Sequence, residues 1–192
     1  DHVFRQSRIF PAVLGMEAMA QAFCALTGCP DAPVFDRVEF LRPVVVPEGG
    51  TLTVRVAALA REPGVVEIVL RSAETSFQID HFRGTCRTPD APTEQAGLGR
   101  YEDPRVTLLP LDPQQELYLG LHFRGGRFRG LAGYSSLSAF ECDARLLADG
   151  TEGWFSAYLP PGLILGDPGA RDAAIHAIQA CIPQATILPV GV

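Results

Sequence analysis

The chain has 192 residues, 47% of them apolar and 20% charged, with a formal net charge of -6. That is ordinary globular usage, long enough for one large core or two small ones. The acidic balance and the lack of a dense basic patch, the Arg127 to Arg129 pair included, exclude nucleic acid as the main partner.

No run of about eighteen apolar residues occurs and no basic stretch leads into an apolar one, which predicts a cytoplasmic chain with no membrane partner and no export signal. All 16 basic residues are arginine, so no lysine is available for Schiff-base chemistry. Cys24, Cys29, Cys86, Cys142 and Cys181 are odd in number and lack C-x-x-C spacing, which argues for reduced thiols rather than a disulfide framework or a zinc site. The sequence opens at Asp1, with no initiator Met, and this predicts a segment of a longer polypeptide.

In chain order, the first predicted element is a helix from Ala12 to Thr27, with Pro11 at its start and Gly28 as its C-cap. Val13, Leu14, Met16, Met19, Phe23 and Leu26 put apolar residues on nearly every face, so this helix must be wrapped on most sides. The β-rich stretches Val34 to Phe40, Thr51 to Ala60, Val65 to Leu70 and Thr75 to Cys86 supply the wrapping, with turns at Pro47 to Gly50 and Glu62 to Gly64. Residues 89–115, rich in Pro, Gly, Asp and Glu, are expected to be a linker. After it come a glycine-rich turn (Arg124 to Leu131), strands near Ser135 to Leu147 and Gly153 to Leu159, and a second helix beginning near Pro168. Asp167 is placed to cap that helix and Pro183 to end it. The order of elements fits an α+β double hot-dog: an N-terminal half over residues 1–88 and an incomplete C-terminal half over 116–192. Each half has a long central helix wrapped by an antiparallel sheet. Glu17 to Gln21 can be laid over Asp172 to His176, acid on acid and polar residue on polar residue.

Two side chains carry the chemistry. His2 is a natural base near neutral pH, and Asp172, beside Ala173, Ala174 and Ile175, is expected to keep its proton in apolar surroundings and so act as an acid. His176, one turn on, faces the same way and can orient that carboxyl. The first free amides of the helix after Pro11 lie at the positive end of its dipole and suit an oxyanion. His81 and His122 are expected to be ordinary. In the Asp80-His81 pair, adjacent strand residues point to opposite faces. Phe123, Phe128, Tyr134 and Trp154 are candidates either for an acyl tunnel or for core packing.

With these residues in hand, the chain resembles the dehydratase domains of modular and iterative polyketide synthases, most of all the enediyne type. The pattern H-x-x-x-G-x-x-x-x-P falls on His2 to Pro11, with Gln6 in place of glycine, and D-x-x-x-Q/H falls on Asp172 and His176. A Tyr-Gly-Pro-x-Phe-x-Gly-Leu turn is matched at Gly125, Phe128, Gly130 and Leu131, whereas Arg124 and Gly126 replace its tyrosine and proline. A Leu-Pro pair follows as Leu188 and Pro189. The resemblance implies a double hot-dog that dehydrates a 3-hydroxyacyl thioester, with His2 as base and Asp172 as acid. It places Pro11, Ala12, Gly15, His176, Gly125, Phe128, Leu188 and Pro189 around the substrate. It implies no intrinsic cofactor and no metal, a substrate carried on the phosphopantetheine of an acyl carrier protein, and a homodimer within a multienzyme. Two alternatives stay open: an acyl-thioester hydrolase, with Glu17 or Asp172 activating water, and an inactive docking or dimerisation domain.

Overall fold

A computed structural model describes residues 1–90, 106–118, 120–147, 153–154 and 162–192. In chain order its elements are β1 (Val3–Phe4), β2 (Ser7–Ile9), α1 (Ala12–Thr27), β3 (Val34–Phe40), β4 (Val45–Val46), β5 (Val54–Glu62), β6 (Val65–Ser72), β7 (Asp80–Arg87), β8 (Leu131–Leu137), β9 (Cys142–Leu146) and α2 (Pro168–His176). The residues gather into two compact units. One comprises Gln6–Gln95, Leu163–Leu165 and Pro189–Val192; the other comprises Asp1–Arg5, Ala96–Gly162 and Gly166–Leu188. Among the described residues no helix is long and apolar enough to cross a membrane.

In the first unit, α1 lies against a four-stranded antiparallel sheet of order β3-β7-β6-β5. The helix has the predicted bounds, and Gly28 closes it in the left-handed region at φ 72, its N–H bonded to the Cys24 carbonyl. Met19 and Phe23 project into a core shared with Val66, Ile68, Leu70, Phe82 and Cys86, the inward-facing residues of β6 and β7. Gly15 is needed where α1 passes over β7, because a Cβ there would run into the Phe82 ring. The last residues of the chain extend the sheet: Val38 and Val192 exchange N–H···O bonds of 3.0 Å in both directions, and Phe40 N donates to Val190 O at 2.9 Å.

The strand expected from Thr75 starts instead at Asp80. Residues 73–75 form a short 3-10 turn, and Ser76 and Phe77 take φ of 52 and 59. This reversal is what lets β7 run back antiparallel to β6. Phe77 and Ile79 imitate a strand pattern without being core: the Arg55 guanidinium lies 3.8 Å over the Phe77 ring, and Ile79 is 46% exposed.

In the second unit, β8 and β9 form an antiparallel hairpin. Leu131 and Tyr134 of β8 pack with Leu117, Tyr118, Ala173 and Ala177. At the end of the stretch expected as a linker and running past it, Pro113–Leu117 form a helical turn capped by Asp112, whose side chain accepts from Gln114 N at 2.8 Å. Residues 91–105 of that stretch lie outside the described residues, as does the strand expected from Gly153 to Leu159 beyond Trp154. α2 ends at His176, and Ala177–Cys181 tighten into a 3-10 turn.

Candidate active site

Residues 1–3 of the second unit lie antiparallel to residues 123–125. Val3 N donates to Phe123 O at 3.5 Å, Gly125 N donates to Asp1 O at 2.6 Å, and His2 faces Arg124 across an isolated bridge. This pairing sets the imidazole beside the guanidinium. α2 supplies the carboxylate. The Asp167 side chain accepts from Gly169 N and Ala170 N, the predicted cap, and so sets the phase of the helix. Asp172 and His176 then fall one turn apart on one face. The glycine-rich turn comes close to that helix at Gly130, where a Cβ would sit 2.9 Å from the Ala173 Cβ and 3.0 Å from the Gly169 carbonyl oxygen.

The two ends of the chain meet at Asp172. His2 Nε2 lies 3.3 Å from Asp172 Oδ1, although 170 positions separate the residues in sequence. Arg124 Nε donates to Oδ2 at 3.1 Å, and His176 Nδ1 stands 3.0 Å from the same oxygen. All four side chains are buried. The His2 ring is held edge-on by Phe128 (centroids 4.4 Å apart) and Phe123 (5.7 Å). Behind His176, Leu131 N donates to the Tyr118 hydroxyl at 3.1 Å, and that hydroxyl lies 3.0 Å from His176 Nε2. The network assigns Tyr118 O–H as donor to Nε2, which leaves His176 Nδ1–H to donate to Asp172.

The protonation state of Asp172 differs from the expectation of a neutral acid. Burial alone pushes the carboxyl up, but the hydrogen bonds from His176 and His2 and the charge of Arg124 outweigh it and hold Asp172 well below the usual carboxylate range. Of its sequence neighbours, Ala173 packs into the core and Ala174 is exposed, and the polar groups that set the charge arrive from elsewhere in the chain. Burial drives His176 the other way, below its ordinary value and against its bond to Asp172, and so favours the neutral ring. The Tyr118 phenol is raised to about 12, chiefly by burial. The site therefore holds a carboxylate, the Arg124 cation, a neutral His176 and a neutral phenol around His2.

Gly125, Phe128 and His176, placed around the substrate by the resemblance, are in this unit with His2 and Asp172, and so is Leu188. Pro11, Ala12, Gly15 and Pro189 belong to the other unit. There the Leu14 and Gly15 amides bond to Pro11 O, so Ala12 and Val13 supply the leading amides of α1. Gln6 takes φ 67 and points to solvent, so the turn keeps the left-handed backbone that a glycine would adopt. Glu17 is fully buried and its oxygens are committed: Oε1 accepts from Gln21 Nε2 (3.0 Å) and Ile164 N (2.7 Å), and Oε2 accepts from Leu165 N (2.9 Å). That is a structural latch, which leaves little for activating water. His81 is likewise structural, with Nε2 on Ser72 Oγ at 2.8 Å. Tyr134 donates to the Ala177 carbonyl at 2.9 Å and is core, and Trp154 meets Phe128 edge to face with ring centroids 4.9 Å apart. Among the described residues no group of three or more His, Cys, Asp or Glu is arranged to hold a metal ion.

Sequence reasoning passed over Tyr118. The Asp112-Pro113 step with Glu116, whose Oε1 accepts from Asp112 N at 2.9 Å, was the available signal for the helical turn that carries it.

No family model and no curated protein matches the chain. Solved structures do. The dehydratase domain from the CurF module of curacin polyketide synthase aligns with a TM-score of 0.71 at 22% identity, covering 100% of this chain and 69% of that one. The dehydratase domain of a mycocerosic acid synthase-like polyketide synthase gives 0.70 at 20% identity, covering 100% and 66%. The dehydratase domain from the CurK module gives 0.68 at 19% identity, covering 100% and 69%, and its Asp-to-Asn and His-to-Phe inactive mutants match as well. This likeness shows the fold: the chain has the hot-dog fold of polyketide synthase dehydratase domains and spans about two thirds of their length.

Proposed function

We propose that the protein dehydrates a 3-hydroxyacyl thioester to the 2-enoyl thioester, the substrate arriving on the phosphopantetheine arm of an acyl carrier protein. The proposed setting is a cytoplasmic polyketide-building multienzyme in which the domain is a homodimer. The observation that carries this is the buried contact of 3.3 Å between His2 and Asp172, in a fold that polyketide synthase dehydratase domains share. An aspartate and a histidine are also the residues whose replacement gives the inactive mutants of the similar CurK domain.

The elimination removes a weakly acidic C2 proton and expels hydroxide, so both ends need help. His2 takes the C2 proton, and the His2–Asp172 pair returns a proton to the C3 hydroxyl, which leaves as water. Each such transfer is typically worth a factor of ~10^2 to 10^4. No redox step occurs, so the elimination calls for no electron-carrying cofactor.

The test is turnover of a 3-hydroxyacyl pantetheine thioester by the full chain, followed by enoyl thioester absorbance. His2→Ala and Asp172→Asn are each expected to cut the rate by about 10^2 or more. Unchanged rates in both variants refute the assignment, and a free acid as product identifies a hydrolase instead.

A further inference from the structure

The carboxylate of Asp172 offers two oxygens, and the structure uses them unequally. Oδ2 meets two N–H groups, Arg124 Nε at 3.1 Å and His176 Nδ1 at 3.0 Å, which occupy both of its lone-pair directions. A proton bound to Oδ2 would face two donors. Only Oδ1 remains, and it faces His2 Nε2 at 3.3 Å. Each group around the carboxyl bears on that choice. Arg124 comes from the glycine-rich turn, His2 from the start of the chain and His176 from α2. Tyr118 and His122 lie behind the His176 ring, and the Arg129 guanidinium is 5.8 Å from the Tyr118 ring. His176 and His122 are both kept neutral by burial, so Arg124 is the permanent charge in direct contact with Asp172. His2 Nδ1 is buried with no hydrogen-bond partner among the described residues.

Building on the proposed dehydration, we propose that Arg124 is a positioning residue that locks Asp172 as a carboxylate, so that His2 alone carries the proton from substrate C2 to the C3 hydroxyl. Asp172 Oδ1 accepts Nε2–H, which leaves the lone pair of Nδ1 as the base. Nδ1 takes the C2 proton, and the C–H electron pair becomes the C2=C3 bond. The same Nδ1–H then protonates the C3 oxygen as the C3–O bond breaks. Water leaves and His2 returns to its starting tautomer, so no second proton source is consumed. Arg124 stands where the resembling turn has a tyrosine, and a guanidinium can only donate and keeps its charge.

The experiment combines 13C NMR titration of the aspartate carboxyls with the pH dependence of kcat, using the full chain as wild type, Arg124→Gln and Arg124→Lys. In wild type Asp172 stays a carboxylate through the ordinary aspartate range, and kcat shows no falling limb at high pH that is lost in Asp172→Asn. In Arg124→Gln the Asp172 midpoint rises by about one to three pH units, the usual effect of removing an adjacent arginine, while Arg124→Lys follows wild type. A protonated Asp172 in wild type at pH 7 overturns the proposal. So does a high-pH limb abolished by Asp172→Asn, and so does an Arg124→Gln titration identical to wild type. If wild type and both variants make no enoyl product, the dehydration itself and its proton route are refuted, while the NMR arm still decides whether Arg124 holds the carboxylate.

Discussion

His122 offers a direct measure of how dry the site is. Its ring is 2% exposed, packs against His176 (centroids 4.7 Å apart) and Tyr118 (5.2 Å), and has no hydrogen-bond partner for either nitrogen among the described residues. Burial, reinforced by His176 and Arg124, pushes it from 6.5 down to about 3. In the unfolded chain the ring regains its ordinary value, so between those limits the unfolded state binds a proton that the native state refuses. Stability therefore falls as pH drops below 6.5 towards 3. Going from pH 7 to pH 5 crosses about 1.5 pH units of that window. At 1.36 kcal/mol per unit, this one ring costs about 2 kcal/mol. His122→Phe keeps an aromatic ring of similar size and removes the titration. Urea unfolding at pH 7 and pH 5 should show wild type losing about 2 kcal/mol more than the variant. An equal loss in both proteins would refute the argument and place His122 in contact with water.

Three further outcomes follow from local geometry. Glu17→Ala removes the acceptor for the Ile164 and Leu165 amides and should cost about 3 kcal/mol in chemical unfolding, with those two amides exchanging faster by NMR; an unaltered exchange rate would show that the latch is not formed. Gln6→Gly relieves a left-handed residue at φ 67 and should raise stability by about 1 kcal/mol in thermal unfolding, with no gain expected only if the turn is unstrained. Gly130→Ala forces a Cβ against Ala173 and the Gly169 carbonyl, and is expected to destabilise by about 1 to 3 kcal/mol and to slow turnover by displacing α2 from the turn.

The parts of the fold legible in the sequence are those written in local periodicity. The helix from Ala12 to Thr27 announces itself by its apolar faces and closing glycine, and β3 and β6 begin where Val34 and Val65 predict. Asp167 as a cap and Asp172 with His176 on one face follow from helix geometry alone. What escaped depends on contacts distant in sequence. Glu17 looked like a rival acid because its partners, the amides of Ile164 and Leu165, lie about 150 positions away and carry no side-chain signature. Phe77 and Ile79 read as strand because an apolar residue on a turn is indistinguishable from one on a sheet until its exposure is known.

Asp172 is the instructive failure. Its immediate neighbours are apolar, and neighbour composition predicts a raised, protonated carboxyl. A carboxyl's charge is set within a sphere of a few ångströms, and that sphere is filled from three separate stretches, bringing His2, Arg124 and His176 to its two oxygens. The clue lay in the sequence as a departure rather than a match: Arg124 stands where the resembling turn has a tyrosine. A phenol can share a proton with a buried acid, whereas a guanidinium can only donate and keeps its charge. On the proposed mechanism, a guanidinium held 3.1 Å from this buried carboxyl leaves His2 to hold the proton, and so a residue outside the His2–Asp172 pair decides how the pair works.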